Sequence, residues 1–466
     1  MIKLSNSIYF YPYLFLFFIS YFYLNNILIP VSSFDEAELF LSINSPSISH
    51  PTGYVIYSII SVLLFKILFF IPYELRGNFI SALYILTSIF ILFKLCKKKL
   101  LPNTDFLLIS LFLLLVPQIF IFSSRTEVYS AGVLLLILIF YVIENQIGPQ
   151  KGFFIASVLA GLSFGVHALC SVTVIGLLLL ALKKLIFSSE YRTFASVLLG
   201  FVCGFSAVFV ITYLLLIYTN FYRYPVEILG IEIENQSATR VVINNILGIE
   251  YHLKESPLFS SRVKKIQLLD NFSINISFII ILFASNFYFL KKNNQKINDS
   301  FVVAACSVIT ISLFLLNYHY FEKELFFPIF TIGSVLLISF LKYYSQQWIR
   351  VLLLAVIISN LFFLNSNNLN LNFINNYFEV LKQIPAKSSI IVNWEGFTAI
   401  KYLQNTNPKM PELSLISIKS KKLSSYLESK QCSSIYSNVD FLKLSIEEVI
   451  QENNVKLVKY KLNCFQ

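Results

Sequence analysis

Long apolar blocks separated by short polar punctuation run through most of the chain. They fall at 8–29 and 53–72, then near 78–95, 104–122, 128–143, 153–169, 171–187, 194–218, 272–290, 301–317, 325–341 and 350–364. A helix of roughly 20 apolar residues covers the hydrocarbon core of a bilayer, so the pattern predicts a polytopic helical membrane protein. The block at 53–72 is the exception. Lys66 sits in its middle, where a cation is costly in hydrocarbon but tolerable on a helix lying in the interface with its ammonium snorkelling to water. If that block crossed, the cluster Lys97, Lys98 and Lys99 would lie outside; read as non-spanning, it leaves Lys97 to Lys99, Lys183 with Lys184, Lys291 with Lys292 and Lys296, and Lys342 with Arg350 on the cytoplasmic side. The first block is long for a signal-peptide core and lacks a small-x-small cleavage site before Pro30, so it reads as a helix. The expectation is eleven spanning helices, an external first loop over 31–77 and an external C-terminus.

The pattern changes after about residue 364. Polar residues rise, and β-rich runs at 388–392, 413–418, 433–439 and 455–460 alternate with helical ones near 372–383, 397–404, 423–429 and 445–453. Strands separated by single helices predict a small, mostly parallel α/β domain over 365–466, with the Asn-rich run 365–376 as the nearest thing to a hinge. The division is therefore an all-α membrane domain over 1–364 and a small extracytoplasmic α/β domain after it.

Composition agrees: 56% hydrophobic and 13% charged residues exclude an ordinary soluble chain. The net charge of +11 is scattered between apolar blocks instead of forming a basic stripe with interleaved aromatics, so no nucleic-acid partner is expected. A Gly-rich phosphate loop is missing, and no Cys/His spacing resembles a zinc site, so neither a nucleotide cofactor nor a metal is expected. Cys96, Cys170, Cys203 and Cys306 fall in or beside spans and read as small apolar residues, while Cys432 and Cys464 both fall in the external domain, where a disulfide can form. The 47 Phe and 27 Tyr read as lipid-facing bulk and interfacial belt.

Chemistry belongs to the polar stretches on the external side. The first loop carries Asp35, Glu36 and Glu38, then His50-Pro51-Thr52-Gly53-Tyr54; further stretches are Ser123-Ser124-Arg125-Thr126-Glu127, residues 220–270 and residues 319–324. Asp35 reads as a general base or as a solvated acid capping a helix from Glu36 to Leu41. Glu38 lies three residues on and shares its helical face, where it positions a substrate or completes a capping box; Glu36 points elsewhere, into solvent. Glu127 opens a helix, as a functional acid or a complement to the helix dipole, with Arg125 as its ion partner. His167, near the outer end of a span, must find a polar partner.

Asp35-Glu36-Ala37-Glu38-Leu39 followed by His50-Pro51-Thr52-Gly53-Tyr54-Val55-Ile56-Tyr57 resembles the first-loop signature D-x-G-E … H-P-P-G-Y-P-L-Y of the protein O-mannosyltransferase-like branch of the GT-C membrane glycosyltransferases, the relatives of the transmembrane O-mannosyltransferase of plexins. Arg125-Thr126-Glu127-Val128-Tyr129-Ser130 is similar to the family's x-x-E-V-Y-x, and Gly161-Leu162-Ser163-Phe164-Gly165-Val166-His167 to G-L-x-x-G-x-H. Glu324-Leu325-Phe326-Phe327-Pro328 sits where R-F-x-x-P would fall, and the stretch from Leu381 to Gln404 resembles the opening of the C-terminal domain in bacterial relatives. Ala37 replaces a Gly, Thr52 a Pro, and Trp394-Glu395 a Gly-Asp pair.

The resemblance implies a GT-C-type fold and an inverting hexosyltransferase that moves a sugar such as mannose from a polyprenyl-phosphate carrier to a protein, glycan or lipid acceptor. It needs no cofactor. It implies Asp35, Glu38 and Glu127 as catalytic residues, with Asp35 as base, and His50, Tyr54, Arg125, His167 and Lys323 as substrate-binding residues. Developing phosphate charge calls for a cation or donor; Arg76, Arg223, Arg240 and above all Lys323 are the external candidates, and His50 either contacts the phosphate or serves as a turn residue. An alternative reading is a transporter or lipid-linked-sugar flippase, although the acids gather at one face and not at mid-span. A third is a non-catalytic scaffold presenting the C-terminal domain. Asn/Lys/Ile-rich usage suggests an AT-rich genome and a bacterial inner membrane.

Overall fold

A computed structural model of the chain describes residues 27–28, 31, 33–44, 54–145, 149–218, 271–292, 299–317, 326–343, 347–366, 373–417, 434–438, 445–452 and 455–461. Most of the first apolar block lies outside them, as do His50, the stretch 219–270, Lys323, the helix expected at 423–429, Cys432 and Cys464.

The apolar blocks become helices: α1 (Phe34–Asn44), α2 (Val55–Ile67), α3 (Arg76–Lys98), α4 (Asn103–Leu115), α5 (Pro117–Ser123), α6 (Tyr129–Asn145), α7 (Pro149–Leu162), α8 (Ala168–Ser171), α9 (Thr173–Ser188), α10 (Tyr191–Tyr218), α11 (Asn271–Lys292), α12 (Asp299–Asn317), α13 (Phe327–Tyr343) and α14 (Gln347–Ser366). Two expected spans are broken. At 104–122 the chain bends by 77° between α4 and α5, because Pro117 supplies no N–H to the helical ladder and holds Val116 extended, at φ −59° and ψ 119°. At 153–169 the helix stops at Leu162, passes through a 3-10 turn (Ser163–Gly165) and resumes only after an extended His167. Among the described residues four helices are long and apolar enough to cross a bilayer, or five counting the bent pair, so they do not reach the expected eleven.

α2 has 13 residues, about 20 Å at 1.5 Å per residue, well short of a bilayer core. Its Tyr57, Ser58, Ser61, Val62 and Phe65 are buried, while Ile60, Leu63, Lys66 and Ile67 are exposed. That amphipathic division agrees with a non-crossing helix.

Elsewhere the helices pack through small residues. A Cβ on Gly204 would lie 2.2 Å from the Val158 carbonyl oxygen, and one on Gly200 2.4 Å from that of Phe154, so α7 and α10 approach backbone to backbone. Asn275 of α11 and Asn360 of α14 exchange hydrogen bonds of 2.9 and 3.1 Å. At one end of the bundle the basic clusters meet acids, two of them buried. Lys99 and Ser300 both reach the Glu144 carboxylate, Lys184 pairs with Asp299 at 2.6 Å, and Arg350 grips the fully buried Asp105 with two bonds of 2.7 and 2.9 Å. These contacts draw Lys98, Lys99, Lys184 and Arg350 to one side, as the charge pattern requires.

After α14 come α15 (Phe373–Leu381), β1 (Ser389–Val392), α16 (Trp394–Thr406), β2 (Ser414–Ser417), β3 (Ser434–Ser437), β4 (Ser445–Glu452) and β5 (Val455–Lys461). The sheet order is β2-β1-β3-β5-β4. β2, β1 and β3 are parallel, and β5 and β4 add an antiparallel pair. The helix expected at 445–453 is therefore β4. Its Ile446, Val449 and Ile450 fall at helical spacing, but a bulge between Ile446 and Glu448 resets the alternation and brings Glu448 opposite Lys459. Pairing outweighs local periodicity there.

α1 lies between this C-terminal unit and the bundle. The fully buried Phe40 meets Tyr402 of α16 edge-on at 5.2 Å, Tyr73 at 5.3 Å and Phe65 of α2 at 5.6 Å.

Candidate active site

α1 starts at Ser33, whose Oγ accepts the Glu36 N–H at 3.2 Å. The cap is therefore Ser33 and not Asp35, because the helix begins at Phe34. Asp35 sits in the first turn, exposed, with its charge favoured by the helix dipole. Glu36 and Glu38 are 2% and 1% exposed. Glu36 is thus not solvated: it receives Arg125 Nη1 at 3.2 Å in a buried ion pair, and Arg125 pairs with it and not with Glu127 as expected. Nor do Asp35 and Glu38 share an environment. With Phe40 of α1 anchored against both α16 and α2, the helix is covered on two sides, and an offset of three residues is enough to carry Glu38 under cover.

Arg125 and Glu127 are held by a short segment hung on the start of α3. Thr126 Oγ1 donates to Asn78 Oδ1 at 2.9 Å, and Asn78 Nδ2 donates to the Ile27 carbonyl at 3.1 Å. Ser81 Oγ accepts the Glu127 N–H at 3.2 Å and donates to the Glu127 carbonyl at 3.3 Å. Gly77 makes room: a Cβ there would lie 2.2 Å from Thr126 Oγ1. The Glu127 carboxyl is held well above the ordinary carboxylate range, first by burial and then by the negative charges of Asp35 and Glu36; the Val128 N–H and Arg125 oppose this more weakly.

The third part is aromatic. His167, buried and extended, accepts the Leu169 N–H on Nδ1 at 3.4 Å, so a neutral ring carries its proton on Nε2. The ring stacks on Tyr54 (6.0 Å, 17°) and meets Tyr129 at 5.2 Å and the edge of Phe327 at 5.4 Å. Tyr129 lies two residues past Glu127, so segment 127–129 joins the acid cluster to the histidine.

The structure thus places Asp35 and Glu36 near Glu127, Arg125 on Glu36 and Tyr54 on His167, with Glu38 buried on α1, while His50 and Lys323 lie outside the described residues. It adds groups that the pattern of the chain did not single out. Tyr57 is fully buried. Ser61, one turn along α2, shares a 3.1 Å bond with the Tyr84 hydroxyl. The last Tyr of the first-loop motif was the available signal for Tyr57. Among the described residues no group of three or more His, Cys, Asp or Glu side chains is arranged to hold a metal ion.

No protein-family model matches the chain, and no curated protein matches it. Two solved structures are similar over nearly the whole length. ArnT from Cupriavidus metallidurans bound to undecaprenyl phosphate gives a TM-score of 0.58 at 9% identity, covering 97% of this chain and 98% of that one. ArnT in the apo state gives 0.56 at 9% identity, covering 97% of each. At this identity the likeness is one of fold alone, and it does not reach the O-mannosyltransferase-like branch.

Proposed function

We propose that the chain is an integral membrane glycosyltransferase that moves a hexose such as mannose from a polyprenyl-phosphate donor to an acceptor hydroxyl outside the cytoplasm, with inversion, in a bacterial inner membrane. The observation that carries this reading is the exposed Asp35 at the edge of a buried acid cluster, beside an aromatic-walled histidine, at the opposite end of α3 and α6 from the Lys99–Glu144 network. With the basic clusters cytoplasmic, this end faces outward. The fold likeness to a protein crystallised with undecaprenyl phosphate supports a polyprenyl-phosphate partner.

In this reading Asp35 takes the proton of the acceptor hydroxyl as that oxygen attacks the anomeric carbon. Tyr54 and His167 line the donor side, where the Nε2–H of a ring fixed by its Nδ1 bond is a preorganised donor to phosphate. By the resemblance, Lys323 and His50, which lie outside the described residues, are further candidates for holding the phosphate. Arg125 acts through Glu36, keeping the acid helix in register with the 123–128 segment, and Glu38 supports that helix from beneath.

The test is transfer from synthetic polyprenyl-phosphate-mannose by purified protein in detergent, over protein, glycan and lipid acceptors. Wild type transfers, and Asp35→Asn loses on the order of a thousand-fold in turnover. Full turnover in the variant removes Asp35 as base; no transfer by wild type from this or any other hexose carrier removes the function.

A further inference from the structure

Two tyrosines from different parts of the molecule hold the two ends of α1. Tyr402 of α16 is buried; its ring meets Phe40 edge-on at 5.2 Å, and its hydroxyl takes a backbone hydrogen bond from Val31, just before the helix begins. Tyr73, in the turn Tyr73–Leu75 that leads into α3, meets the same Phe40 edge-on at 5.3 Å, and its hydroxyl shares a hydrogen bond with the side chain of Asn44, the last residue of the helix. The two rings thus grip one phenylalanine in the same way, while their hydroxyls reach opposite ends of α1. Arg76 backs the second ring. Its guanidinium lies 5.7 Å from Tyr73 and 5.2 Å from Phe65, and it donates to the carbonyls of Phe69 and Ile71 at 2.9 and 3.0 Å.

Asp35 lies in the chain between Val31 and Phe40, the two points that Tyr402 touches. Asn44 is roughly 13 Å further along the helix at the usual rise per residue. At the Asp35 end Glu36 also receives Arg125 at 3.2 Å, so the start of α1 is fixed from the bundle by Arg125 and from the C-terminal unit by Tyr402. The helix shares its apolar core with that unit: Leu39, Phe40 and Ile43 belong to one buried cluster with Ile390 of β1, Ala399 of α16 and Leu457 of β5. A base is effective only from a fixed position, because a misplacement of about 1 Å can cost on the order of a hundred-fold in rate. We infer that Tyr402 is a positioning residue for the transfer: through it the C-terminal unit fixes the Asp35 end of α1 and is part of the construction of the site. This rests on the reaction, and on the role of Asp35 in it, proposed above.

Two conservative variants test it, because Tyr402→Phe and Tyr73→Phe each keep a ring against Phe40 and each lose one hydroxyl bond to α1. With purified full-length protein and polyprenyl-phosphate-mannose, Tyr402→Phe should lose about ten-fold in kcat and keep the KM for the donor, whose side is built on Tyr54 and His167. Tyr73→Phe should stay within about two-fold of wild type in both. A helix that only needs support at either end would show the same loss in the two variants. Equal losses, or a wild-type kcat in Tyr402→Phe, overturn the inference.

The second measurement does not depend on transfer. Amide hydrogen exchange read by mass spectrometry should be faster over residues 31–38 in Tyr402→Phe than in wild type, and unchanged there in Tyr73→Phe. Unchanged exchange over that stretch in Tyr402→Phe overturns the inference even where turnover falls. Faster exchange with no transfer from any hexose carrier upholds the grip of the C-terminal unit on α1 and removes the reaction proposed for the site.

Discussion

The two ends of the helical bundle surround their acids differently. At the end of the basic clusters, Glu144, Asp299 and Asp105 each meet a lysine or arginine, and Glu144 also takes the Ser300 hydroxyl. At the other end Glu36 pairs with Arg125, and Asp35 and Glu36 are negative neighbours of Glu127. A matched network holds helices together and has little reason to exchange protons. A buried carboxyl with acids for neighbours binds its proton more tightly than usual, a cost that a fold tolerates where chemistry uses it.

Four substitutions sharpen or break that contrast. Asp35→Asn should have the largest effect, on the order of a thousand-fold in transfer, or about 4 kcal/mol of barrier. Because Asp35 is exposed, thermal unfolding in detergent should be unchanged; a large loss of stability would make it scaffold. Arg350→Leu should do the reverse. It leaves the fully buried Asp105 without its cation and should cost about 3 kcal/mol of stability, read as a lower melting temperature with substrate affinity intact.

Glu127→Gln comes next, through the pH dependence of stability. Because the folded carboxyl holds its proton above the unfolded value, the folded protein binds a proton that the unfolded chain has lost over that window. Wild-type stability therefore falls as pH rises from the unfolded value toward the folded one, by at most about 1.4 kcal/mol per pH unit. Glu127→Gln should lack that slope in melting curves taken across the same range. The smallest effect belongs to Lys184→Met. Its partner Asp299 is 40% exposed at the side chain, so the loss should stay below about 1 kcal/mol, and a larger one would mean that the matched end is more tightly coupled than its geometry suggests.

Much of this architecture is legible in the chain. The blocks near 78–95, 128–143, 194–218 and 350–364 reappear as α3, α6, α10 and α14, and Lys66 falls on the exposed side of the 13-residue α2. The bend at Val116 was available in Pro117, whose missing N–H acts locally, but an average over apolar residues passes across it. β4 was not legible, because its partner β5 and the bulge that aligns them are tertiary facts. In the site, Asp35 and His167 stood out as polar residues where few are expected. Glu36 did not: it looked like a solvated loop acid, and only burial changed its meaning.

By itself the sequence determined which segments can live in lipid and which end carries the acids. Hydropathy and charge are properties of a local window, and a bilayer reads them that way. Only the tertiary structure decided which acids are buried, which are exposed and which meets Arg125. Those outcomes depend on distance and burial between residues far apart in the chain: Glu36 and Arg125 are 89 positions apart yet 3.2 Å in space, and Coulomb's law acts on the second number alone.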